Sequence, residues 1–125
     1  MPFSTGIITN TKAVGTAASN IVLSTRNADA SNPSQIVVQI FASTDSVTFY
    51  TAYVSNFIVA AKSFDVREFF IAGNVAYEVQ INVISTVPSN VLVTVHGIDG
   101  SGNLVTNQRV LQSEFTAITA LTPIS

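Results

Sequence analysis

The chain has no cysteine, no tryptophan, a single histidine and few charges. Without cysteine it builds neither a disulfide framework nor a thiolate zinc site. Without tryptophan it lacks the broadest aromatic platform for stacking on a sugar ring, so a carbohydrate-binding sandwich would have to rely on Tyr50, Tyr53 and Tyr77. Charged residues make up 10% of the chain, against roughly 25% in an ordinary soluble domain. Ser, Thr, Asn and Gln therefore supply most of the polar surface, and a formal net charge of −2 does little to hold copies of the molecule apart. The five basic residues, Lys12, Arg26, Lys62, Arg67 and Arg109, stand singly, so no basic stripe exists to track a phosphate backbone and nucleic acid is not expected as a partner. No apolar run approaches the roughly 18 residues of a membrane span, and the N-terminus has no basic region followed by an apolar core. No membrane span is expected, and either the Sec route is unused or a leader precedes Met1.

What is present is strand signal. Val75, Tyr77, Val79, Ile81 and Val83 alternate with Ala76, Glu78, Gln80 and Asn82, the period of two that marks a half-buried antiparallel strand. In "QIVVQIFA" (35–42) both faces are largely apolar, which predicts a strand covered on both sides. The stretches at 20–26, 47–54, 63–72 and 90–98 are rich in β-branched and aromatic residues. Turn chemistry separates them: "NADASNPS" at 27–34, "STDS" at 43–46, "AGN" at 72–74, "VPSN" at 87–90 and "DGSGN" at 99–103. Residues 96–111 read as a hairpin with a Gly-containing loop. "NFIVAAKSF" (56–64) is ambiguous between a helical turn and a strand running into a bend, and the strand is preferred. At 125 residues the chain suits one domain. The expectation is an all-β, antiparallel two-sheet sandwich of jelly-roll type over 20–125, preceded by an extended N-terminal connector arm and spacer over 1–19.

Little points to chemistry. His96 would need an oriented acid and a nucleophile beside it to be catalytic, and it reads better as a half-exposed sheet residue before Gly97. Asp29, Asp45, Asp65, Glu68, Glu78, Asp99 and Glu114 are spread singly along the chain, as turn-forming and exposed carboxylates are, rather than in the converging pair a glycosidase uses. "DGSGN" lacks the further acidic positions of a calcium loop and reads as a turn. No enzyme activity, metal or cofactor is expected. In "DVREFF" (65–70) each face of an extended strand carries a charge and an aromatic ring, which fits either two-sided burial or contact with another subunit.

The arm is the distinctive segment. Phe3, Ile7 and Ile8 sit among small polar residues, and in one unbroken extension Phe3, Thr5 and Ile7 face one way while Ser4, Gly6 and Ile8 face the other. Residues 3–8 are the candidate subunit-binding site: they either add a strand to an open sheet edge of a neighbouring copy or pair with their own domain as a first strand. Residues 9–20 would then be the spacer, and at about 3.3 Å per residue the first 19 residues reach roughly 60 Å.

The segment "VHGIDGSGNLVTNQRVLQSEFTAI" (95–118), with the order of arm, spacer and alternating strands, resembles the endospore appendage (Ena) pilin family of spore-forming bacteria. The arm here, "MPFSTGIITNTK", lacks the connector cysteines through which that family's best-known members cross-link, which makes the chain similar to a cysteine-free variant. The resemblance implies a jelly-roll subunit that polymerises head to tail with itself by strand addition into an extracellular fibre. It also implies assembly inside a mother cell, display on the spore surface and an anchoring protein there. The rival expectations are the carbohydrate-binding module and a viral or phage jelly-roll structural protein.

Overall fold

The computed structural model describes residues 1–12 and 14–124. Among these the strands are β1 (Pro2–Ser4), β2 (Ile8–Thr9), β3 (Asn20–Asn27), β4 (Ser34–Ser43), β5 (Tyr50–Val59), β6 (Phe64–Phe70), β7 (Ala76–Ile84), β8 (Val91–Ile98), β9 (Leu104–Val110) and β10 (Thr116–Ala117). They form two antiparallel sheets. The first has the order β10-β1-β7-β4-β5, with β2 continuing beside β7, and the second has the order β6-β3-β8-β9. The all-β, two-sheet expectation holds. The ambiguous stretch is strand as far as Val59, after which Ala60–Ser63 turns the chain with Lys62 at φ 60°. Lys62 N–H donates to the Asp29 carbonyl and Ser63 N–H to the Ala60 carbonyl, both at 3.1 Å, and these bonds hold the turn.

The alternation at 75–83 has its physical reason in the core. Tyr77, Val79, Ile81 and Val83 of β7 are all buried in one core cluster with residues of the other sheet, Leu23 of β3 and Val93 of β8 among them. Burial of each such aliphatic side chain contributes about 1.5–3 kcal/mol. β4 lies between β5 and β7, and its second face is covered as well: Gln39 and Phe41 are buried there beside the fully buried row of Ile36, Val38 and Ile40. The C-terminal segment shields this outer face. Thr122 N–H donates to Gln80 Oε1 and Gln80 Nε2 donates to Thr122 Oγ1, each at 2.8 Å.

The turns are closed by aspartates. Asp29 Oδ1 accepts N–H bonds from Ser31 and Asn32, each at 3.0 Å, and Asn90 Nδ2 reaches Oδ2 at 3.3 Å. Asp45 accepts from Thr48 and Val47, and Asp99 from Asn103 and Ser101. These N–H groups favour the ionised carboxylates and hold all three below their ordinary range, Asp29 at about 2. A carboxylate lowered by folding contributes stability that is complete above its unfolded value, 3.8 for Asp29, and lost as pH falls through the folded one. The melting-temperature difference between wild type and Asp29→Ala is therefore expected to be constant at neutral pH and to shrink as pH is lowered from about 4 to about 2. A difference independent of pH across that range would refute it.

Candidate functional site

The N-terminal segment is the site that the sequence singles out, and its geometry follows from one irregularity. β1 pairs with β7 as Phe3↔Ile81 and Ser4↔Gln80, but β2 pairs as Ile8↔Tyr77 and Thr9↔Ala76. The sums of paired residue numbers differ by one, so the arm carries one extra residue between Ser4 and Ile8, a β-bulge. Gly6, at φ 70°, adopts the left-handed conformation that this bulge requires and that only glycine takes freely. The unbroken alternation expected for 3–8 is thus corrected. Phe3 and Ile8, rather than Phe3, Thr5 and Ile7, share the inward face and pack against the core, while Ile7 is 64% exposed. Ser4 is buried and donates its hydroxyl to Glu78, and Gly6 N–H returns to Ser4 Oγ at 2.9 Å. Thr5 N–H donates to the Val79 carbonyl and Val79 N–H to Thr5 Oγ1, each at 3.0 Å, so the ladder stays closed across the bulge.

The arm also has a second flank. β10 pairs with β1 as Phe3↔Ala117 and Ser4↔Thr116, Ile118 N–H donates to the Pro2 carbonyl at 3.1 Å, and the Phe3 ring lies 6.2 Å from that of Phe115. The N-terminal strand therefore fills a slot between β7 and β10. Residues 1–9 are held by main-chain bonds, by the apolar side chains of Phe3 and Ile8 and by the hydroxyls of Ser4 and Thr5.

Behind the arm the chain is pinned. Asn10 is fully buried: its Oδ1 accepts from Ala18 N–H and from Gln108 Nε2, both at 2.7 Å, and its Nδ2 donates to the carbonyls of Asn74 at 2.9 Å and Ala18 at 3.2 Å. Gln108 continues the network by accepting the Tyr77 hydroxyl at 2.7 Å. Burial alone raises the Tyr77 pKa, which keeps the hydroxyl protonated as that donor. Gln108 reaches the core because β9 slips in register against β8 between His96 and Ile98, where Gly97 leaves room for its amide. The segment expected to be an open spacer closes on itself through a Thr11–Thr16 bridge, and Gly73 N–H donates to Thr16 Oγ1 at 3.2 Å. Neither Asn10 nor Gln108 carried a sequence signal, but a glycine inside a strand pattern, Gly97, marks a close approach.

The other candidates are dispersed. His96 lies on β8 between Val22 and Arg109, with no carboxylate paired across from it. Tyr77 is fully buried, while the hydroxyls of Tyr50 and Tyr53 bond Asn74 Oδ1 and the Phe70 carbonyl at 2.7 Å. The three tyrosines form no common stacking platform. Among the described residues no three His, Asp or Glu side chains are grouped to hold a metal ion, and no helix is long and apolar enough to cross a membrane. Asp65 and Arg67 do share a face, paired at 2.8 Å, with the guanidinium 3.8 Å above the Phe57 ring. Against family models, curated proteins and solved structures, the chain finds no match.

Proposed function

We propose that the protein is a pilin-like, self-assembling structural subunit of jelly-roll type, in which residues 1–9 leave their own slot and fill the same slot of the next copy. The observation that supports this is the N-terminal strand lying between β7 and β10, held by main-chain bonds that any identical copy offers equally. An arm seated in its own chain and an arm seated in a neighbour make the same contacts, so exchange costs little beyond association itself. Because Asn10 is anchored, the donated length is nine residues, about 30 Å when extended, enough to reach a copy packed directly alongside. Each subunit gives its arm to the next copy and receives one from the copy before, a heterologous contact that propagates as a fibre where the rotation does not close it into a ring. The setting implied by the resemblance, an extracellular fibre on a spore surface with an anchoring protein, is proposed with it.

Electron microscopy of the full chain at increasing concentration tests this, alongside Phe3→Asp, Ile8→Asp and Ile7→Asp. The slot is the same in both seatings, so a substitution shifts assembly only once it unseats the arm altogether. A carboxylate in place of the packed Phe3 or Ile8 side chain does so, and Phe3→Asp or Ile8→Asp is expected to raise the concentration needed for fibres at least about tenfold. Exposed Ile7→Asp is expected to leave it within about twofold. Dispersed monomers of the wild-type chain at every concentration, or equal sensitivity at all three positions, would overturn the assignment.

A further inference from the structure

The second sheet ends in β6, and the geometry points to a specific occupant for its open edge: β6 of a second copy, paired antiparallel about a two-fold axis through Val66. The backbone phase comes first. Asn27 N–H donates to the Ser63 carbonyl at 2.9 Å and Ile71 N–H to the Ser19 carbonyl at 2.7 Å, on either side of the β3–β6 ladder. In an antiparallel pair the direction of these groups alternates, so odd-numbered residues of β6 spend their backbone groups on β3. Phe64, Val66, Glu68 and Phe70 then direct theirs to the open side, and the Phe70 carbonyl, accepting from Tyr53 at 2.7 Å, is already capped. The free edge is Phe64 to Glu68. Phe64 is 76% and Val66 55% exposed, and beside them lies a shallow groove of about 170 Å³ floored by Ser24 and Thr94.

Continuing this phase requires even-numbered residues to face even-numbered residues, which restricts the symmetric registers. Centring on Phe64 leaves a single hydrogen-bonded pair inside the strand, and centring on Asp65, Arg67 or Glu68 places a like charge opposite itself. Centring on Val66 sets Val66 against Val66 and Phe64 against Glu68 of the second copy as hydrogen-bonded pairs. It sets Asp65 against Arg67 of the second copy, and the reverse, as the close non-hydrogen-bonded pairs, with Cα atoms about 4.5 Å apart. The Asp65–Arg67 pair within each strand becomes a square of alternating charge across the junction. The edge lacks the lysine or proline by which exposed strands are commonly kept single. No residue of this contact lies in the arm or its slot, so it is independent of arm exchange and closes as an isologous pair.

Sedimentation of the full chain with charge reversals tests it. Wild type is expected to dimerise, and D65R and R67D, each of which sets like charges against each other twice, to dimerise at least about tenfold more weakly. An equimolar mixture of D65R and R67D is expected to recover a one-to-one heterodimer, because every reversed charge then meets its opposite. In this cysteine-free chain, V66C is expected to oxidise to a covalent dimer and E68C to remain a thiol. A monomeric wild type, a D65R and R67D mixture that stays monomeric, or equal cross-linking at both positions would overturn the pairing. Fibres that form but keep their width in D65R would overturn it while leaving arm exchange standing; a dimer without fibres would do the reverse.

Discussion

Replacing Asn10 with alanine is expected to lower the unfolding free energy by about 3–5 kcal/mol, the largest effect of any single substitution in the N-terminal region. The side chain is fully buried and satisfies Ala18 N–H, Gln108 Nε2 and the carbonyls of Ala18 and Asn74 at once. Alanine removes the bonds but not the buried groups that made them, and each orphan carries a desolvation cost of about 1–3 kcal/mol. Urea unfolding followed by tyrosine fluorescence measures it, with an unchanged denaturant slope showing that the same surface is exposed. A loss under about 1 kcal/mol would mean that the network relaxes without cost. Asn10→Asp separates the two halves of the role, since it keeps the acceptors, loses the donors and buries a charge.

The second large effect is expected at Gly97. An added Cβ would stand 2.3 Å from Gln108 Oε1 and 3.0 Å from the Ala18 Cβ, so Gly97→Ala must displace the glutamine amide. That shift breaks the 2.7 Å bonds of Gln108 to Tyr77 and to Asn10, and a loss of about 2–4 kcal/mol follows from overpacking together with the orphaned hydroxyl. Gln108→Ala removes the obstacle along with the bonds. Adding Gly97→Ala to it is therefore expected to cost at least about 1 kcal/mol less than adding it to wild type. Additive losses in that double-mutant cycle would place the strain elsewhere.

Both sites show how far local pattern reaches. The strand at 75–83 was legible because it buries one face and so carries a period of two, and the strand at 35–42 because burial on both faces leaves both largely apolar. Those at 20–26 and 90–98 were legible from their β-branched residues. The hairpin at 96–111 was legible from Asp99, Gly100 and Asn103, whose turn roles are local. The arm's alternation was not, because a bulge at Gly6 depends on which carbonyls of β7 stand opposite, and a partner 70 residues or more away leaves no periodic trace in the arm. Asn10 and Gln108 belong to the same class: a register slip on β9 sets the Gln108 amide between the Tyr77 hydroxyl and Asn10 Oδ1. The Asp65–Arg67 pairing could be drawn from an extended strand, but the direction of the backbone groups on β6 needed the ladder to β3.

The seating of β1 between β7 and β10 has a consequence for the order of events during synthesis. β1 has no ladder partner until Gln80 to Asn82 have left the ribosome, and no second flank until Thr116 and Ala117 have. Contacts of such sequence separation form late, after the local hairpins have collapsed. β1 is therefore made long before it is housed, and from the emergence of β7 until the arm docks both the strand and its vacancy stand open to whatever identical chain is growing beside it.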